Sequence, residues 1–122
     1  FWSRFGPETL ASTLLLGEMR AADALSALSQ LRDCGLTGAN LAGSLRLIVA
    51  QRLVPRPARR GRRGEARLEL AYELLEPDPE VRDLLLEGAA MPRLREALRR
   101  AGLRPFDECA RGESPRGPSG RK

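Results

Sequence analysis

Leu25–Val54 reads LSALSQLRDCGLTGANLAGSLRLIVAQRLV, and its spacing sets the expected fold. Ala24, Leu25, Leu28 and Leu31 recur at helical intervals after Asp23, and Gly35 follows Asp33-Cys34 where a helix should stop. That predicts a helix of about three turns. From about Asn40, Leu41, Leu45, Ile48, Val49 and Leu53 form a second apolar stripe, with Arg46 and Arg52 on its polar flank and Pro55 as its terminator. Cys34, at the end of the first helix, reads as a small core residue.

Upstream, Thr13-Leu14-Leu15-Leu16 is a short apolar run closed by Gly17, which reads as a buried strand. Downstream, residues 55–66, PRPARRGRRGEA, hold two prolines, two glycines and five arginines, the composition of an exposed connector. Leu68, Leu70, Tyr72 and Leu74 then alternate with Glu69, Ala71 and Glu73, the period-two pattern of a half-buried strand. Pro77-Asp78-Pro79-Glu80 supplies a helix start, with Asp78 as cap and Pro79 in the first turn. Val81, Leu84 and Leu85 are its buried face and Gly88 its end. Another helix runs from about Pro92 through Leu94 and Leu98 to Ala101, stopped by Gly102. The tail from Arg111, RGESPRGPSGRK, has no large apolar residue and is expected to be disordered.

The whole chain has 122 residues, 42% of them apolar and 30% charged, which suits one soluble unit with a real core. No apolar run approaches the roughly 18 residues needed to cross a bilayer, and no secretory leader is visible. Phe1 in place of a starting methionine suggests a fragment, a processed chain or an incomplete reading frame. Histidine is absent, and the two cysteines, Cys34 and Cys109, are far apart. Histidine general bases, Ser/His/Asp and Cys/His nucleophile systems, Cys/His zinc sites and a disulfide scaffold are therefore excluded within this chain. The net charge of +5 rests on arginine, for Lys122 is the single lysine among 21 basic residues. Arg59, Arg60, Arg62 and Arg63 in the connector could meet the phosphates of nucleic acid or anionic lipid. No aromatic residue interleaves with them, so a solvated loop is the plainer reading and nucleic acid is not the favoured partner.

Several strings resemble the C-terminal part of the type II secretion and type IV pilus assembly ATPases. The matching positions are Leu31-Arg32-Asp33-Cys34-Gly35, Ser44-Leu45, Ala50-Gln51-Arg52-Leu53-Val54, the stretch Glu73–Ala89 (ELLEPDPEVRDLLLEGA), and Leu94-Arg95-Glu96-Ala97 with Ala101-Gly102-Leu103-Arg104. Together they span roughly residues 12–110. The resemblance implies a helix-rich α/β fold: the C-terminal part of a RecA-like P-loop NTPase core over 1–54, the connector over 55–66, a strand-plus-helices module over 67–110 and the tail over 111–122. It implies cytoplasmic hexameric motors, peripheral to the inner membrane, that use ATP and Mg2+ to drive a membrane platform.

The phosphate-binding loop of such motors, GxxxxGK[ST], needs a lysine that this chain places only at its terminus. The isolated chain is therefore expected to be without ATPase activity. Within LLLGEMRAAD, Leu14–Asp23, two alignments with the family stay open. In one, Glu18–Asp23 falls on the family's histidine box, with Arg20 in place of the histidine and Asp23 retained. In the other, Leu14–Arg20 falls on the Walker B strand, with Glu18 as its carboxylate. The plain alternatives are a solvated pair for Glu18 and Arg20 and a helix cap for Asp23. Arg46 and Arg52 are the candidates for intersubunit or nucleotide-facing contacts. The connector lacks the two CxxC pairs that many members carry, so no zinc is expected. A piece cut from a RecA-like sheet would expose an edge and an apolar face, which predicts poor solubility.

Overall fold

The structure, a computed structural model, describes residues 6–56 and 67–109. The connector arginines and the tail lie outside the described residues. The chain runs through α1 (Pro7–Ser12), α2 (Ala24–Asp33), α3 (Gly38–Ser44), β1 (Ile48–Arg56), β2 (Arg67–Leu75), α4 (Pro79–Leu86), α5 (Met91–Arg100) and α6 (Phe106–Cys109). β1 and β2 form an antiparallel pair in which Ile48 faces Leu75 and Arg52 faces Ala71.

Local chemistry sets the helix ends. Asp23, Thr37 and Asp78 cap α2, α3 and α4 by accepting the backbone N–H groups of Ser26, Asn40 and Val81 at 2.6, 3.2 and 2.8 Å. α2, α4 and α5 end alike, on Gly35, Gly88 and Gly102 at φ 94°, 69° and 106°. After each glycine the next N–H donates back to the carbonyl five residues earlier: Leu36 to Leu31, Ala89 to Leu84 and Leu103 to Leu98. This is the Schellman closure, and only a residue tolerant of the left-handed region takes the glycine's place without strain.

The core lies between the helices and one face of the β pair. Leu28, Leu75, Val81, Leu85, Leu94 and Leu98 are its most deeply buried large side chains, each contributing roughly 1.5–3 kcal/mol relative to exposure. α3 approaches α4 so closely that a Cβ added at Gly38 would lie 2.0 Å from the Leu85 carbonyl oxygen. Two arginines bind this packing together. Arg82 donates to the carbonyls of Ala42 and Leu45 at the end of α3, and Arg32 to those of Ala89 and Gly88 beyond α4. The carbonyls of Ala42 and Leu45 are helix-end groups that lack an intrahelical partner.

The structure corrects three expectations and decides one choice of face that the alternation left open. The second apolar stripe is not one helix: α3 ends at Ser44, and Ile48–Arg56 is strand. Its Leu and Val spacing satisfies a period of 3.6, but pairing with β2 satisfies the backbone from Ile48 onward and suits the β-branched Ile48 and Val49. Arg46 therefore lies in the bend before β1 and Arg52 in the strand. Thr13–Leu16 is irregular rather than a buried strand; Leu14 and Leu16 are 76% and 91% exposed, and no strand among the described residues pairs with them. Cys34 is exposed as the C-cap of α2, because the Schellman turn points it away from the core and buries Leu36 instead. Finally, β2 buries its Ala71, Glu73 and Leu75 side, while Leu68, Leu70, Tyr72 and Leu74 are exposed.

Candidate functional site

Two features stand apart from ordinary packing: the polar junction at the start of α2, and the outer face of the β pair.

At the junction, the extended chain from Thr13 delivers Glu18, Arg20 and Asp23 to the N-terminus of α2. Glu18 and Arg20 are exposed and make no ion pair among the described residues. Asp23 is half-buried. Burial pushes its carboxyl up, but the hydrogen bonds from Ser26 and Leu25 and the nearby Arg95 guanidinium outweigh that and hold it below its ordinary value. Its geometry is that of a cap, as one of the two sequence readings has it.

The residue that organises this junction is Glu73, a carboxylate that sequence inspection assigns to the polar side of β2. It is 4% exposed. Its Oε2 accepts the N–H of Ala24, the first residue of α2, at 2.9 Å, and its Oε1 accepts the N–H of Phe106, the first residue of α6, at 2.7 Å. The positive ends of two helices thus converge on one buried anion. Next to it on β1, Arg52 extends over the Phe106 ring, its guanidinium carbon 4.2 Å from the ring centroid. Arg52 is engaged with its own chain, whereas Arg46 is exposed in the bend.

The signal that could have identified Glu73 is an acid inside an apolar run, flanked by Tyr72 and Leu74. Arg32 and Arg82 carried none, because their carbonyl partners lie 40 or more residues away or on a separate helix.

No group of three or more potential metal-ligating side chains occurs among the described residues. A shallow depression of about 200 Å³ is bounded by Leu74, Leu75, Glu76, Leu98, Gly102 and Leu103. It brings together neither an acid–base pair nor any of the candidate residues.

On the outer face of the β pair the cross-strand partners are Val49 with Leu74, Gln51 with Tyr72, Leu53 with Leu70 and Pro55 with Leu68. None is charged. The charged residues of the two strands, Arg52, Arg56, Arg67, Glu69 and Glu73, hold the alternate register positions. That reverses the usual arrangement of a sheet with one wet side.

No family model matches the chain. The chain is similar to the type II secretion system protein HxcR of Pseudomonas aeruginosa, with 33% identity over 120 residues, 82% of this chain and 25% of that protein. It is thus related to a type II secretion system protein, and it spans about a quarter of the length of that relative.

Proposed function

We propose that the chain is the C-terminal portion of a type II secretion or type IV pilus assembly motor ATPase, or a degenerate paralogue of one, acting as a structural segment. The observation that carries the reading is the similarity to HxcR over four-fifths of the chain, together with the AQRLV and ELLEPDPE strings that resemble this ATPase family. The exposed run Thr13–Leu16 supports it. Leu14 and Leu16 stand in water beside the residues that resemble ATPase motifs. In a RecA-like core this run would be a strand, with its neighbours supplied by sequence preceding Thr13 in the longer protein.

On this reading the phosphate loop belongs to that preceding sequence, and the present chain cannot turn over ATP alone. Glu18, Arg20 and Asp23 are what remains of the nucleotide-facing segment. Asp23 and Glu73 fix its exit into α2, so the C-terminal helices and that segment move as one body. Arg46 is free to reach a neighbouring subunit of a hexameric ring at the inner-membrane platform. ATP and Mg2+ would be bound by the complete motor.

Two measurements test the proposal. Translating the reading frame upstream of Phe1 should reveal GxxxxGK[ST] after a strand pattern, and the protein extended to include it should hydrolyse ATP. The present chain should show no turnover; micromolar ATP affinity with measurable hydrolysis by residues 1–122 would overturn the inactive-segment reading.

A further inference from the structure

We infer that α6 is a releasable strap: docked on β2 it seals Glu73, and through Glu73 it holds the entry of the Glu18–Asp23 segment into α2, so that release of α6 loosens that segment. The inference rests on the geometry of the junction and not on the motor reading.

Three observations carry it. First, α6 itself closes the junction. Glu73 Oε1 accepts the Phe106 N–H at 2.7 Å while Oε2 accepts the Ala24 N–H at 2.9 Å, and Phe106 and Ala24 are both buried. A carboxylate shielded from water holds its donors more strongly than a hydrated one, so both bonds depend on the same exclusion of solvent. Second, α6 is held from outside. Its four residues, Phe106–Cys109, are too few to sustain a helix unaided. It packs on β2, with the Phe106 ring beneath the Arg52 guanidinium. A segment held by so few contacts opens locally at a free energy below that of the whole fold.

Third, the far side of Glu73 carries an irregular segment. Residues 13–22 form neither helix nor strand, and apart from the half-buried Leu15 and Met19 their side chains are exposed. The segment is fixed where it enters α2, by the Asp23 cap and the buried Ala24 amide, and Met19 rests against the core. When α6 leaves, water reaches Glu73 and the Ala24 amide loses its dry acceptor. The segment then keeps only the Asp23 cap and the Met19 contact. A partner that draws α6 away therefore acts on Glu18 and Arg20 without touching them.

The experiment is native-state amide hydrogen exchange of residues 1–122, followed residue by residue by NMR. Phe106→Ala is the releasing variant, and the buried Leu94 and Leu98 of α5 report global opening. Phe106→Ala keeps its backbone N–H, so nothing in the substitution itself stops Glu73 from holding both amides. The expected result is exchange at Ala24 quickened at least about tenfold beyond any change at Leu94 and Leu98, the lower end of what a hydrogen bond to a charged group contributes. The amide at position 106 should quicken by as much or more. Phe106→Leu retains an apolar cover and should move both amides in the same direction by less, which guards against a folding defect in the Ala variant. Two results would overturn the inference. Faster exchange at position 106 with Ala24 unmoved in both variants would make the two bonds of Glu73 independent. One common factor at Ala24, Leu94 and Leu98 would make Phe106 an ordinary core residue.

Discussion

Glu73 on β2 holds the first amide of α2, that of Ala24, 49 residues earlier in the chain. Together with Asp23 it places two carboxylate side chains at the amide end of one helix. Asp23 serves the third amide, at Ser26, and Glu73 serves the first. Both satisfy donors that the helix cannot pair internally, and both oppose the positive end of its dipole. Because the other oxygen of Glu73 holds Phe106, the entry to α2 and the start of α6 share one anchor.

Replacing Glu73 tests that anchor. Glu73→Gln keeps one acceptor but turns an NH2 group toward a backbone N–H, and Glu73→Leu leaves two buried donors unpaired. Losses of about 2 kcal/mol for Gln and about 3–4 kcal/mol for Leu are expected in urea unfolding, given ~1.5–3 kcal/mol for a hydrogen bond to a charged group. A Leu variant as stable as wild type would show that the two amides find other partners.

Gly38 carries a purely steric prediction. Its missing Cβ is what lets α3 meet the Leu85 carbonyl, and that carbonyl is backbone, so it cannot swing aside. Gly38→Ala would gain helix propensity in an exposed helix, yet here it should destabilise by about 1–3 kcal/mol through overpacking. Thermal unfolding decides the sign; a raised midpoint would contradict the close approach.

How far these features were legible depends on how local their causes are. α2, α4 and α5 were readable because Asp23, Asp78, Gly35, Gly88 and Gly102 write their own boundaries within a few residues. β1 was not, since Leu41, Leu45, Ile48 and Val49 fit a helical period as well as they fit a strand, and only the β2 ladder decides between them. β2 was readable as a strand but not as to which side it buries. Alternation fixes two faces and leaves their orientation to tertiary packing, and here the face with Glu73 packs inward because α2 and α6 bring amides to it. The same non-local cause hid the anchor in the candidate site, whereas the cap at Asp23 was visible from the chain alone.

Arg82 makes a prediction of the same kind across helices. Its guanidinium donates to Ala42 and Leu45 at the end of α3, so Arg82→Met keeps most of the aliphatic stem and removes the donors. A loss of about 1–2 kcal/mol is expected, and amide exchange in Leu41–Leu45 should quicken more than in α5. Uniform acceleration across the chain would mean that Arg82 supports global stability and has no special hold on α3.

Asp23 offers the pH-dependent test, and its sign follows from its lowered pKa. A carboxyl held below the unfolded value of 3.8 contributes stability that is fully present above that value and fades as pH falls through the lower folded one. Asp23→Ala should cost about 1 kcal/mol at neutral pH through loss of the cap. The gap between wild type and variant should then narrow as pH falls below about 4, in the carboxylate range. Asp23→Asn retains a capping oxygen and should flatten the acid limb while keeping most of the neutral-pH stability. The comparison also separates the roles proposed for this residue. If Asp23 acts only as a cap, the Asn variant in the longer protein keeps the ATPase activity that the motor proposal assigns to it. If the carboxylate faces nucleotide as well, the Asn variant unfolds normally at pH 7 but loses turnover at least about tenfold, the lower end of what a charged transition-state contact supplies.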